Sequence, residues 1–372
     1  MKKVVIIGCG FAGLSACRRL SKFRKSVEVT VIDKKETSDF LPLLPDAIGR
    51  NIKPEFTSYP IKSLSRRLKF NFINQEATSI DLDKNIVATG SGNLAYDYLI
   101  IASGSETNFY GKQQLQNSAY KLNSLKDVLR LRRDIAEKDF KNFVIMGAGY
   151  TGIEIATNLR IYLEKKSAPK KIIIVERSAS ILGPLPEWMK RYTNDNLNRL
   201  NIEVACNTTV EKLEGEALWL TNGRMFDKPI LIWAAGVKTA DFVRDLNAEK
   251  NPQGRVKVDQ YLRVRDNCFI LGDCAYVGFK DNFLRMAVQF AIFQAVCAAN
   301  NIIRQIEARK LKKYKPFDIG YIIPMANNRS CGEIIGLNST GMLATIMHFM
   351  MCIYRSVGLR NKIGVIRGLI GG

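Results

Sequence analysis

A chain of 372 residues exceeds one ordinary hydrophobic core and suits two or three compact domains. Hydrophobic residues make up 47% and charged residues 24%, a globular balance that excludes wholesale disorder. The formal net charge of +21 favours an anionic partner: nucleic acid, an acidic lipid surface or an anionic substrate. The eight cysteines show no CxxC pair and no zinc-like spacing, so reduced, mostly buried thiols and no metal site are expected.

Met1-Lys2-Lys3 before Val4 to Ile7 has the outline of a signal peptide. Gly8, Gly10, Gly13, Arg18 and Arg19 interrupt it and no cleavage pattern follows, which reads as a cytoplasmic protein. Val4-Val5-Ile6-Ile7 instead suits a buried parallel strand. It runs into Gly8-Cys9-Gly10-Phe11-Ala12-Gly13 and then a helix from Leu14 to Leu20. In such a loop Gly8 permits the tight turn, Gly10 lets backbone approach a pyrophosphate, and Gly13 lets helix and strand pack closely. The free N–H groups of the helix N-terminus face the phosphates. A second strand, Val27 to Ile32, ends at Asp33, placed to accept ribose hydroxyls.

The same pattern returns further on. Phe143 to Met146 lead into Gly147-Ala148-Gly149-Tyr150-Thr151-Gly152, a helix over 153–159, a basic loop from Lys165 to Lys171, and a strand, Ile172 to Val175, ending at Glu176. An acid there suits the free 2′-hydroxyl of NAD and repels the 2′-phosphate of NADP. Arg177 beside it weakens that preference. Two dinucleotide-binding units in one chain rarely serve one ligand; one is expected to hold a flavin dinucleotide and the other a diffusible nicotinamide.

Between the loops lies Tyr96-Asp97-Tyr98-Leu99-Ile100-Ile101-Ala102-Ser103-Gly104, continuing from Ser105 to Gly111. Downstream come Trp233-Ala234-Ala235-Gly236-Val237 and Phe269-Ile270-Leu271-Gly272-Asp273-Cys274-Ala275. These segments resemble the hinges and closing flavin motif of two-dinucleotide-fold flavin reductases. Within that superfamily the chain resembles the type II NADH dehydrogenases, single-subunit NADH:quinone oxidoreductases that do not pump protons. Phe40-Leu41-Pro42-Leu43-Leu44, Ser105 to Gly111, Gly152-Ile153-Glu154 and the stretch from Val288 to Gln294 carry that resemblance.

The resemblance implies FAD on Gly8, Gly10, Phe11, Ala12, Gly13, Asp33, Lys34, Ala77, Ala102, Ser103, Gly104, Gly272, Asp273, Gln289 and Ala291. It implies NADH on Gly147, Gly149, Tyr150, Thr151, Gly152, Glu176, Ala235 and Gly236, with Glu154 as the catalytic carboxylate. Glu154 is expected at the flavin–nicotinamide junction, coupled to proton movement; as a plain first-turn acid it would only favour the helix dipole. A quinone contact falls on Gln289 and Phe293. The chain departs from the pattern there: Val288 replaces the usual Ala, and Phe293 stands where many members carry a second Gln. Gln294 lies one residue on, about 100° around a helix, and cannot substitute.

Thiols sort the relatives. Ser38 to Asp46 contains no cysteine, which argues against dithiol catalysis. None lies between Cys17 and Cys206, which argues against a sulfide:quinone oxidoreductase. Cys331 and the lone histidine, His348, read as packing residues.

After Glu333 the chain has no acid. Met342 to Tyr354 is apolar but, at thirteen residues, shorter than the roughly 20 a bilayer span requires. Arg355, Arg360, Lys362 and Arg367 then alternate with apolar residues, so 342–372 reads as a basic amphipathic element at an anionic lipid headgroup interface, with a dimer-forming or core helix as the rival. No helix-turn-helix, RNP or OB pattern points to nucleic acid.

The fold class expected is α/β: two Rossmann-like dinucleotide-binding domains plus a small C-terminal membrane-facing region. Residues 1–112 and 238–320 would form the FAD domain, 113–237 the NADH domain and 321–372 the membrane-association region. The activity expected is a respiratory-chain NADH:quinone oxidoreductase, peripheral on the cytoplasmic side of the cell membrane, with a homodimer left open. Alternatives are a soluble NAD(P)H reductase with a protein acceptor, a sulfide:quinone oxidoreductase, and a flavin-binding sensor.

Overall fold

The computed structural model describes residues 1–279 and 282–371. In chain order the elements used below begin with β1 (Lys2–Ile7), α1 (Phe11–Leu20), β2 (Val27–Ile32), α2 (Asp46–Gly49), β3 (Asn71–Ile73) and β4 (Tyr98–Ile101). Next come α3 (Leu125–Glu137), β5 (Asn142–Met146), α4 (Tyr150–Lys165), β6 (Lys171–Val175), β7 (Ile202–Ala205) and β8 (Pro229–Trp233). The C-terminal third supplies β9 (Cys268–Ile270), α5 (Val288–Ile306), β10 (Gly320–Ile323), β11 (Ser330–Ile334), β12 (Leu337–Thr340), α6 (Gly341–Arg355) and α7 (Leu359–Ile370).

The chain divides into two compact units. The first comprises Met1–Ser38, Tyr59–Glu106 and Val237–Ile319; the second comprises Asp39–Ser58, Thr107–Gly236 and Gly320–Gly372. Gly372, the last residue of the expected lipid-facing stretch, lies outside the described residues.

In the first unit a sheet runs in the order Arg263–Arg265, β9, β4, β1, β2, β3, with β1 hydrogen-bonded in parallel to β2 and β4. Strand order reverses at β1, so the C-terminal ends of β1 and β4 open a crevice of the kind in which doubly wound sheets bind ligands. The apolar run of β1 explains its central position: Val4, Val5, Ile6 and Ile7 are all buried, as strands covered on both faces must be. The long helix α5 packs along α1. A three-stranded antiparallel sheet of Ala77–Asp81, Ile86–Thr89 and Gly92–Ala95 completes the unit.

The second unit repeats the plan in the order β7, β6, β5, β8, all parallel. Phe143, Ile145, Ile172, Ile174, Ile230 and Ile232 on one face join Val128, Leu131 and Ile135 of α3 and Ile153, Ala156 and Leu159 of α4 in one core. The opposite face, with Val144, Ile173, Val175 and Trp233, packs against Val210, Leu218, Leu220 and Phe226.

The boundaries differ from the sequence expectation in two respects. Residues 39–58 belong with the second unit, although they follow the first ribose acid directly. Residues 320–372 do not stand as a separate region but join the same unit. The physical reason lies in α2: Ala47 and Ile48 enter the second core, as do Ile323, Met325 and Cys331 from the C-terminal strands. The expected amphipathic element is two helices, α6 and α7, broken at Ser356–Gly358, with Gly358 at φ 82°.

Two acid-braced glycine loops

Each unit carries a glycine loop between its first strand and first helix. Gly8 and Gly147 sit at φ +96° and +108°, a conformation that only glycine adopts without strain. A Cβ on Gly13 would lie 1.8 Å from the Gly8 carbonyl oxygen, and one on Gly152 would lie 1.9 Å from that of Gly147. These contacts are the close strand–helix approach expected of the third glycine. By contrast, a Cβ on Gly10 or Gly149 would meet nothing within 4 Å. The space above the middle glycine is open in both loops, as a pyrophosphate cradle requires.

The acids at the strand ends do more than face that space. One Asp33 carboxylate oxygen accepts the Cys9 N–H at 2.7 Å and the other accepts the Lys35 N–H at 2.8 Å. Glu176 does the same in the second unit, accepting the Ala148 N–H at 2.9 Å and the Ser178 N–H at 2.8 Å. Each acid thus ties its own turn to the loop, fixing the loop's shape before any ligand arrives. Each carboxylate oxygen retains lone-pair capacity for a ribose hydroxyl.

The other first-unit residues read from sequence gather round the first loop. Ala102 and Ser103 press on Gly8, whose Cβ would lie 2.4 Å from the Ala102 carbonyl oxygen. Gly272, at φ +70°, lies between Ala12 of α1 and Ala291 of α5, and its N–H donates to Gln294 Oε1 at 2.7 Å. Asp273 accepts a hydrogen bond from Ser105 Oγ at 2.9 Å; burial raises its carboxyl above the ordinary range against the pull of that bond and of Arg255. Arg255 is 2% exposed and donates to the carbonyls of Ala275 and Leu284, holding the segment that follows Asp273. Lys34 pairs with Glu76 and Glu106 at the edge, beside the buried Ala77. Phe11 and Gly104 are half-buried, Phe11 opening α1 and Gly104 following Ser103 at φ +71°.

Gln289 and Phe293 share α5 but differ in setting. Gln289 is buried, donating to Asp318 Oδ1 at 2.9 Å and accepting the Ile319 N–H at 3.0 Å. Phe293 is 38% exposed. Gln294 points inward to Gly272, a loop-bracing role that sequence reading missed.

In the second unit Ala235 and the Ala234 carbonyl press on Gly147 as Ser103 and Ala102 press on Gly8. Tyr150 is half-buried, Thr151 is exposed, and Gly236, at φ +81°, lies against the Tyr110 hydroxyl. Glu154 is half-buried on α4. Burial and the charge of Asp46 hold its carboxyl well above the usual carboxylate range. Asp46 and Arg50 escaped the sequence reading altogether. Cys331 is buried with its sulfur 3.6 Å from Thr193 Oγ1, and His348 Nε2 lies 3.5 Å from Cys352 Sγ. All eight cysteines are free thiols, six of them buried.

Residues 2–300 match the pyridine nucleotide-disulphide oxidoreductase family, most of the chain. The chain belongs to that family. Among curated proteins this pyridine nucleotide-disulphide oxidoreductase is similar to type II NADH:quinone oxidoreductase of Staphylococcus aureus, 26% identical over 381 residues and covering 93% of both chains. Among solved structures its fold is similar to that of NDH2 from Plasmodium falciparum in complex with NADH, with a TM-score of 0.87, 17% identity, and coverage of 99% of this chain and 97% of that one. The sulfide:quinone oxidoreductase from Aquifex aeolicus is similar at a TM-score of 0.79, 21% identity, and coverage of 99% and 93%. No helix among the described residues is long and apolar enough to cross a membrane.

Proposed function

We propose that this family member is an FAD-dependent NADH:quinone oxidoreductase that works at a membrane surface. The observation that carries the reading is the duplication itself: two loops with open middle glycines, each braced by an acid, in two units of one chain. The Staphylococcus aureus relative, matched over nearly its whole length, bears the same activity in its name.

The first-unit residues fit FAD. The amides opening α1 would hold the pyrophosphate, Asp33 would accept from the ribose hydroxyls, and Asp273 would accept from the ribityl chain or pyrophosphate region. Glu176 in the second unit takes the 2′-hydroxyl of NADH, where a 2′-phosphate would meet a like charge. The chemistry supplied when FAD is bound is acceptance of a hydride from NADH and delivery of two electrons to a quinone. No thiol is required of the chain. Its contributions are the holding of each nucleotide on its own unit and control of the proton that quinone reduction consumes, which we assign to Glu154. Gln289 and Phe293 are the proposed quinone contacts; Gln289 would exchange its bonds to Asp318 and Ile319 to serve.

The lipid surface is reached through α6 and α7. Met342, Leu343, Ile346, Met350 and Tyr354 on α6 and Leu359, Ile363, Ile366 and Ile370 on α7 are exposed apolar residues, while Ala344, Thr345, Phe349 and Cys352 face inward. Arg360, Lys362 and Arg367 accompany them, a composition that suits an anionic headgroup layer on the cytoplasmic side of the membrane. The test is partition of the purified protein into anionic liposomes together with quinone-dependent NADH oxidation. Absence of both defeats the proposal.

A further inference from the structure

Helix α5 of the first unit ends at Ile306, and the chain turns back along it through Ala308, at φ 49°. Residues 309–319 then run as a strap without helix or strand, antiparallel to α5. One ridge of the helix holds it. At one end the buried Asn301 donates from Nδ2 to the Lys312 carbonyl and accepts the Lys312 N–H at Oδ1, both at 2.9 Å. At the other end Gln289 donates to Asp318 and accepts the Ile319 N–H, and Arg285 adds a second donor to Asp318 at 2.8 Å. Residues 289, 293, 297 and 301 stand four apart and so share that ridge. Cys297 Sγ lies 3.7 Å from the Lys312 carbonyl oxygen, so Phe293 is the ridge position left between the clamps, and it stays 38% exposed.

The outer side of the strap is cationic. Arg309, Lys310, Lys312, Lys313 and Lys315 are exposed, while Leu311, Tyr314 and Pro316 between them are half-buried. Arg309 is paired with Glu307, but none of the four lysines meets an acid in an ion pair among the described residues. Phe317, 59% exposed, follows directly, and Val296 of α5 is exposed as well.

We propose that this strap is an anionic-lipid docking surface of the first unit: its four unpaired lysines lie against phospholipid headgroups while Phe317 and Phe293 enter the interface beside them. This deepens the membrane reading made above, on which it rests. To the apolar faces of α6 and α7 it adds a contact that belongs wholly to the first unit and works by charge. Phe293 is also a proposed quinone contact, so docking here brings the lipid that dissolves quinone to the helix proposed to receive it.

The chemistry of the surface favours lipid over nucleic acid. Lysine carries a compact, strongly hydrated charge on a flexible stem, which suits a diffuse layer of headgroups; the guanidinium fork that grips phosphate bidentately is absent from the unpaired set. Val296 gives a base nothing to stack on but adds apolar area to a lipid interface. Four lysines between positions 310 and 315 fall in the range of polybasic clusters that recruit acidic lipids. Asn301 and Gln289 fix the strap's backbone before any partner arrives, so little ordering cost falls on docking.

The test is co-sedimentation of the full-length flavin-loaded protein with vesicles of phosphatidylcholine, alone or mixed with phosphatidylglycerol. Each lysine near an anionic surface adds roughly fivefold to partition, so Lys310→Gln, Lys312→Gln, Lys313→Gln and Lys315→Gln together should weaken binding to the mixed vesicles at least about a hundredfold. Binding to phosphatidylcholine alone, the melting temperature and NADH oxidation with a soluble quinone should stay at parent values, and Arg at the same four positions should preserve binding. Phe317→Ser should weaken binding to both kinds of vesicle. The lysine effect should be as large in the Ile346→Ser, Met350→Ser protein, and high salt should abolish it. A folded four-Gln variant that binds mixed vesicles as the parent does overturns the strap; if it also loses binding of a single-stranded oligonucleotide, the partner is nucleic acid instead. A parent that binds neither kind of vesicle overturns the membrane reading together with the strap. Lysine-dependent vesicle binding by a protein that reduces no quinone overturns the activity and leaves the strap standing.

Discussion

Asp33 accepts the amide hydrogen of Cys9 at 2.7 Å, so the acid read as a ribose ligand is also a strut of the glycine loop. Asp33→Ala would strand a partly buried N–H, a loss of about 1–3 kcal/mol, besides removing the ribose contact. The variant is expected to lose flavin on dialysis, measured by absorbance at the flavin bands. Glu176→Ala, which strands the Ala148 N–H in the same way, is expected to keep its flavin while KM for NADH rises at least about tenfold. Preference for NADH over NADPH should narrow with it.

The glycines separate folding from binding. Gly10→Ala meets open space, so the protein should fold with an unchanged melting temperature as apoprotein yet retain flavin poorly. Gly152→Ala drives a methyl into the Gly147 carbonyl and should destabilise the second unit by about 1–3 kcal/mol or more, read from chemical unfolding.

Two groups of the α2–α6 neighbourhood oppose each other in pH. Asp46 is raised from 3.8 to about 6 in the fold, so its contribution to stability is complete below pH 4 and is lost as pH rises through about 6. His348 is lowered from 6.5 to about 4, so its contribution is complete above about 6.5 and is lost as pH falls through about 4. Each slope is at most about 1.4 kcal/mol per pH unit, and between pH 4 and 6 they offset. Unfolding free energy should therefore fall across that window in His348→Asn and rise in Asp46→Asn. Urea unfolding at stepped pH checks both signs.

The outward faces of α6 and α7 are apolar without a partner in the described chain. Ile346→Ser with Met350→Ser removes two exposed apolar side chains, each worth about 1.5–3 kcal/mol when buried in lipid. Liposome co-sedimentation should weaken at least about tenfold while the melting temperature holds. A collapse of the melting temperature would mark the face as core.

The two glycine loops were legible because their geometry is local: strand, turn, helix and acid follow within a few tens of residues, and glycine is the residue that fits the turn. Strand Val27–Ile32 was likewise set by its own alternation and the acid that ends it. The packing of α2 on α4, with Gly49 against Asn158, was not legible, since it joins segments far apart in sequence. For the same reason 321–372 read as a separate element: Met325 and Cys331 reveal their core role only beside Thr193 and Asn196 of the second unit. Around α5, helical phase correctly turned Gln294 away from the Phe293 side, but the partner it finds, the Gly272 amide, is again long-range.

The most direct test of the central claim is an anaerobic titration of the flavin-loaded protein. NADH is expected to bleach the flavin, and one equivalent of a soluble quinone per NADH is expected to restore it, with quinol as the product. A flavin that NADH leaves oxidised, or that stays reduced in the presence of quinone, would contradict it.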